Sequence, residues 1–290
     1  MVRKGNGEDV NEEPMPVGIH EGEILEDLQR NGLKIIQKRR GFRFCTDSVL
    51  LADFCAANPG ERVADMGTGS GVIPLLIAAR TDSVRIHGFE LQTDLADMAQ
   101  RSVRLNGLEE RISIHNCDAR QAAGQIGYGQ TDLVVTNPPY LQKGDGLVSP
   151  DEHSAIARGG SGCPIEEWMQ ACSKLMRNGG RICTVFPSAQ LMRLCDAMRA
   201  AGLEPKRLRL VLARPDQEAK LILLEGRKQG RPGLRILPPL ITHDGEGGFS
   251  PEMRRIYGEN SGGPEEHLFP ASGSCYNESE SKGNGADKPQ

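Results

Sequence analysis

The run TDLVVTNPPY, residues 131–140, ends an apolar segment on an amide, two prolines and a phenol. That set suits the activation of a conjugated amine, whose nitrogen is a poor nucleophile because its lone pair is delocalised. The side-chain oxygen of Asn137 and the carbonyl of Pro138 could each accept one N–H, drawing the nitrogen toward tetrahedral geometry without a strong base. Pro138 and Pro139 fix φ and cannot enter a helix, so the two acceptors would be held rigidly. Tyr140 offers a ring for stacking on a planar substrate, worth ~1–3 kcal/mol if that substrate is a base. Read alone, the same four residues equally suit an ordinary turn after a strand.

A second group of residues suits a cofactor. In DMGTGSG, Asp65–Gly71, the glycines Gly67, Gly69 and Gly71 let a backbone turn approach a ligand closely, with Thr68 among them. The spacing is G-x-G-x-G, and residue 72 is Val, so the dinucleotide fingerprint G-x-G-x-x-G is not met. Glu90 follows Gly71 by 19 residues, where an acid can accept both hydroxyls of a ribose. Asp118 ends the next strand-like run, within reach of an adenine amino group. Each acid alone could be a solvated loop residue. Three acids at three successive strand ends repel a pyrophosphate and suit a cationic nucleoside, and S-adenosylmethionine has that character.

These residues need a frame that collects strand ends. LKIIQKRRGFRFCT reads as a hairpin and DSVLLADFCAA as a helix with Asp47 at its N-cap. RVADMG, VRIHGFE, RISIHN and TDLVVTN read as strands separated by the helices SGVIPLLIAAR and TDLADMAQRSVRLNG. Further on come the helix PIEEWMQACSKLMRNGG, the strand RICTVF, the helix SAQLMRLCDAMRAAG and the strands PKRLRLVLA and AKLILLEGR. Alternation of this kind predicts an α/β fold, a mostly parallel sheet covered on both faces. The last two strands are too close for a crossover helix, so seven strands with the last antiparallel are expected, preceded by a short hairpin-helix extension.

Composition sets the boundaries. Residues 1–30 hold 3 basic against 8 acidic residues and residues 259–290 hold 2 against 6, both with the polarity of disordered segments. Residues 31–258 hold 30 basic against 25 acidic residues, so a mildly basic body of one domain is expected between acidic ends. Its cations cluster at Lys34, Lys38, Arg39, Arg40 and Arg43 and again at Lys206, Arg207, Arg209, Arg214, Lys220, Arg227, Lys228, Arg231 and Arg235, as a partner rich in phosphate would require. The eight cysteines form no C-x-x-C pair and read as free thiols, with no metal site expected. No apolar run approaches the ~18 residues of a membrane span, and the N-terminus lacks a signal-peptide core, so a cytoplasmic protein is expected.

VADMGTGSG, GFELQ, NCDARQ and VVTNPPY together resemble the successive motifs of class I S-adenosylmethionine-dependent methyltransferases of the amino-methylating N-P-P-Y branch, a Rossmann-like fold. RRGFRFCTDSVLLADF followed by NPPY and AIAR is similar to the bacterial family that methylates N6 of the adenosine beside the anticodon of a valine tRNA. The resemblance spans residues 31–258. It implies that Asp65, Gly67, Thr68, Gly69, Gly71, Glu90, Leu91, Asp118, Ala119 and Asn137 hold the cofactor, that Thr46 approaches its methionine end, and that Asn137, Pro138, Pro139 and Tyr140 hold the target amine. Relatives commonly carry Arg-His-Glu where this chain has Arg158-Gly159-Gly160. Two alternatives stay open. One is methylation of a glutamine amide in a translation release factor, whose enzymes usually carry a larger helical domain before the catalytic body. The other is a non-catalytic RNA-binding module on the same scaffold.

Overall fold

Continuous apolar runs mark strands buried on both faces, and here they form the centre of a single sheet. The structure, a computed structural model, describes residues 18–40, 44–138 and 163–258. Strands β3 (Arg62–Met66), β4 (Arg85–Glu90), β5 (Ile112–Asn116), β6 (Thr131–Thr136), β7 (Met176–Pro187), β8 (Leu203–Leu212) and β9 (Leu221–Lys228) lie in the order β5-β4-β3-β6-β7-β9-β8. Strands β3 to β7 are parallel to one another, and β9 is antiparallel to both β7 and β8. This is the mostly parallel α/β arrangement expected. The sheet nevertheless has nine strands, because β10 (Arg235–Ile236) and β11 (Leu240–Ile241) add to the outer edge of β8. Two-residue strands bounded by prolines carry no periodicity that a sequence window could detect.

Helices cover both faces. Helices α1 (Thr46–Phe54), α2 (Val72–Arg80) and α7 (Pro251–Tyr257) share one apolar cluster with Val63, Leu133, Val185 and Leu223 of the sheet. Helices α4 (Ala122–Ile126), α5 (Ile165–Leu175) and α6 (Leu191–Ala200) share the other with Met66, Val134, Ile182 and Leu224. Helix α3 (Thr93–Leu105) lies beyond β4 and β5 and carries the N-terminal hairpin, whose strand β2 (Lys34–Lys38) runs along it. The Ile36 amide donates to Ser102 Oγ at 2.9 Å, and Ile36 packs with Leu95 and Met98. At the hairpin's end the Lys38 ammonium pairs with Asp94 in the first turn of α3.

Four readings need correction. The hairpin is not confined to residues 33–46: its first strand, β1 (Glu23–Asp27), lies within the segment expected to be disordered. The Glu-rich composition there hid a strand whose charge is neutralised by tertiary contacts, with Glu23 accepting from both Nη atoms of Arg101 at 2.8 and 2.6 Å. Helix α1 is N-capped by the extended Cys45, and Asp47 is buried inside its first turn. Helix α5 stops at Leu175 because Met176 already pairs with Thr131, so β7 begins five residues before the expected RICTVF. Helix α7, N-capped by Ser250 Oγ accepting from the Met253 amide at 3.2 Å, was not expected at all.

The seven cysteines among the described residues are free, four of them buried. No helix among the described residues is long and apolar enough to cross a membrane.

Candidate functional site

The chain enters the parallel sheet at β3, moves outward to β4 and β5, then returns to the other side of β3 to form β6. That reversal opens a crevice beyond the carboxyl ends of β3 and β6, where open α/β sheets bind ligands. Met66 is in register with Thr136 across it. The glycine turn leaves one side of the reversal and Asn137-Pro138 leave the other.

The turn is held by its neighbours' backbone. The amides of Gly67 and Thr68 both donate to the Phe89 carbonyl, at 2.9 and 3.0 Å. Gly67, Gly69 and Gly71 have φ of 78°, 58° and 90°, the left-handed region that L side chains resist. Space is equally short, since a Cβ on Gly71 would lie 3.2 Å from Ala99 Cβ. On β4, a Cβ on Gly88 would lie 3.0 Å from Thr68 Oγ1 and 2.9 Å from Ile114 Cδ1, so the missing side chain of Gly88 makes room for the turn.

Three of the expected acids line this edge in three electrostatic states. Asp65 is fully buried, and burial pushes its carboxyl up to about 7, opposed by Thr68 Oγ1 donating to Oδ2 at 2.6 Å and reinforced by the nearby Glu90. Its Oδ1 has no hydrogen-bond partner among the described residues, an expensive arrangement for a buried acceptor. Glu90 is raised by burial and lowered by the amides of Gln92, which reaches Oε1 at 2.9 Å, and Gly69, which reaches Oε2 at 2.9 Å. Each oxygen keeps a second lone pair. Asp118 caps a 3-10 turn (Ala119–Gln121) through the Arg120 amide and is held below the usual carboxylate range by the Arg120 guanidinium, 2.5 Å from Oδ2. Leu91, beside Glu90, leaves an apolar side chain 44% exposed at the rim, and Ala119 is buried.

The donor set fits S-adenosylmethionine. An orphaned carboxylate oxygen and a raised Glu90, with no cation paired to either among the described residues, match a ligand that brings positive charge and a ribose diol. A pyrophosphate would meet two buried acids instead.

Sequence reasoning missed one residue of this region. Trp168 of α5 lies within 3.6 Å of a Cβ built on Gly67, and its Nε1 donates to Thr136 Oγ1 at 3.0 Å. Thr136 Oγ1 in turn donates to the Met66 carbonyl at 2.9 Å, so this chain of contacts ties β6, β3 and α5 together one residue before Asn137. An indole in an amphipathic helix reads as core, and only the tertiary contact gives it a place at the site. Asp47, in the first turn of α1, is pushed up by burial to about 6, and its Oδ2 has no partner among the described residues.

Thr46 is tied to helix α7, its Oγ1 accepting from the Tyr257 hydroxyl at 3.2 Å. Asn137 is half-buried and Pro138 buried at the crevice. Pro139, Tyr140 and Arg158-Gly159-Gly160 lie outside the described residues. Much of the second basic cluster is spent within the fold: Arg207 is bound to Glu225 at 2.6 Å, Arg209 to Glu252 at 2.7 Å, and Lys206, Arg227 and Lys228 donate to backbone carbonyls. Lys38, Arg39 and Arg40 close β2 beside the first turn of α3, at the same rim as Leu91.

A family model described as the methyltransferase small domain matches residues 44–150. Over 222 residues the chain is 30% identical to the tRNA1(Val) (adenine(37)-N6)-methyltransferase of Porphyromonas gingivalis, covering 74% of this chain and 86% of that protein. This chain belongs to that methyltransferase family. A second member, from Yersinia pestis, is 30% identical over 226 residues, covering 77% of this chain and 88% of its own. Among solved structures, one from Agrobacterium tumefaciens described as a predicted O-methyltransferase superposes with a TM-score of 0.60 at 24% identity, covering 74% of this chain and 97% of that one. That likeness concerns the Rossmann-like methyltransferase fold.

Proposed function

We propose that this protein transfers the methyl group of S-adenosylmethionine to the exocyclic N6 of an adenosine in tRNA, beside the anticodon. The observation that carries this reading is the pairing of β3 and β6 across the chain reversal, which brings Asn137-Pro138 beside the Gly67–Gly71 turn. The relatives' names supply the substrate.

When bound, the cofactor supplies an electrophilic methyl on a sulfonium. In this chain Asp65 and Glu90 are the groups that bind it, the orphaned oxygen of Asp65 meeting positive charge and Glu90 accepting from hydroxyls. The side-chain oxygen of Asn137 and the carbonyl of Pro138 accept the two N–H groups of the target amine and orient its lone pair. The amine nitrogen gains the methyl as the carbon–sulfur bond breaks to leave a neutral thioether, and the proton it sheds passes to solvent, so no buried base is required. Tyr140 stacks on the flipped base. Lys38, Arg39 and Arg40 at the rim attract the phosphates around it. A cytoplasmic location belongs to the same reading, because the substrate is there.

Labelled methyl transfer to total tRNA, total rRNA and a translation release factor, followed by nucleoside mass spectrometry, tests it. The expected result is label in tRNA alone, recovered as N6-methyladenosine. Label in the release factor, or tight RNA binding without turnover, overturns it.

A further inference from the structure

At the opposite end of the sheet lies a second feature that the methyl-transfer reading does not use. An open cleft of about 520 Å³ is lined by Tyr128, Gly129, Lys174, Met176, Arg177, Asn178 and Lys228, three cations and no acid. It sits at the amino ends of β6 and β7, and the run from Thr131 to Asn137 places it ~20 Å from Asn137 at about 3.3 Å per residue.

Two of its groups, Tyr128 and Lys174, stand exposed. Gly127 and Gly129, with φ of 92° and 67°, make a tight turn pinned by the Gly129 amide on the Lys174 carbonyl at 2.9 Å, and that turn pushes Tyr128 out to 70% exposure. An aromatic ring this exposed gains nothing from the core. Lys228 Nζ donates to the carbonyls of Ser173 and Met176 at 2.7 and 2.8 Å, which keeps one ammonium N–H for another acceptor. Asp132 is paired with Arg177 at 2.5 Å and Arg62 at 3.5 Å, so Arg177 is partly spent within the fold and the acid keeps little charge of its own. The position of Lys174 in the last turn of α5 is explained by the helix dipole, but the dipole does not explain an exposed ring beside it.

We infer that this cleft is a second RNA contact, in which Lys174 and the remaining N–H of Lys228 meet phosphates and Tyr128 stacks on an unpaired base. Cations interleaved with an aromatic ring form the usual platform for single-stranded nucleic acid, and an open cleft suits a passing strand better than an enclosed small molecule. The inference rests on the functional reading above: the RNA whose adenine enters the carboxyl edge continues past the sheet to its amino edge.

Binding of a full-length valine tRNA transcript and of a short anticodon stem-loop is compared for the wild type, Lys174→Glu and Tyr128→Ala. Both positions are exposed, and unchanged melting temperatures serve as the folding control. For the full-length transcript Tyr128→Ala is expected to weaken binding about fivefold or more, and Lys174→Glu to lower the slope of log affinity against log salt by about one. Stem-loop affinity and its methylation rate stay unchanged. Wild-type affinity and slope for full-length tRNA in both variants overturn the cleft. An equal loss for a free nucleoside triphosphate overturns RNA as its occupant. A wild-type protein that methylates no RNA, with variants still defective in binding, sinks the functional reading and supports the cleft.

Discussion

The two ends of the parallel strands carry opposite charge in opposite states. At the carboxyl end the acids Asp65 and Glu90 are buried, raised above their ordinary ionisation range and bound, among the described residues, by hydroxyl or amide groups. At the amino end the cation Lys174 stands in solvent, and the exposed Arg177 is shared with Asp132 at 2.5 Å. A buried, unpaired acid costs stability and is kept where a ligand completes it. An exposed cation costs little and attracts at long range. One edge is thus built for a specific small cation and the other for a diffuse polyanion.

The largest expected effect lies beyond both charge sets. Asn137→Ala removes an acceptor that acts on the amine, and transfer should fall by about 10²–10³-fold, the cost of one missing group of this kind in other active sites. Cofactor affinity, read by calorimetry, should change little. Near-normal turnover would leave the carboxyl edge a binding site without the chemistry assigned to it.

Asp65→Asn tests the buried charge itself. Losing one partner of a buried charge pair costs about 2 kcal/mol or more, so cofactor affinity should drop roughly 30-fold or more. The same change should stabilise the ligand-free protein at pH 8. The Asp65 carboxyl rises from its ordinary 3.8 to about 7 in the fold, so the unfolded chain releases this proton first. Stability from this group is therefore full below pH 4 and is lost as pH climbs to about 7. Thermal unfolding at pH 5 and 8, with and without cofactor, checks this, and cofactor should raise the melting temperature more at pH 8. A variant no more stable than wild type at pH 8 would mean that Asp65 carries no penalty for the ligand to relieve.

A smaller effect is expected from Gly88→Ala. The added methyl must displace Thr68 or Ile114, at a cost of about 1–3 kcal/mol. Cofactor affinity should fall several-fold with a melting temperature lower by a few degrees, while the cations of the amino edge keep their RNA affinity. The smallest effect belongs to Lys38, Arg39 and Arg40 changed together to Ala. Lys38 is already shared with Asp94, so RNA affinity should fall only a few-fold, with a flatter salt dependence. An unaltered salt slope would remove the rim from the RNA path.

Much of this was legible in the chain because parallel strands buried on both faces must be continuous apolar runs, and a turn that receives a ligand must be glycine. VADMGTGSG and TDLVVTN show both directly. Strand β1 was not legible, since EILED is as acidic as its neighbours and becomes a strand only through Arg101 of α3. The second basic cluster misled for the converse reason: Arg207 and Arg209 look free in a string of letters but face Glu225 and Glu252, 18 and 43 residues away.

The sequence by itself determined the alternation of strands and helices, the strand-end residues and the type of chemistry they can do, because these depend on local periodicity and on side-chain identity. Only the tertiary structure decided which acids keep an empty hydrogen-bonding position, which cations remain in solvent and that Trp168 stands over Gly67. Those outcomes depend on burial and on partners far away in the chain, and neither quantity exists until the sheet has closed against its helices.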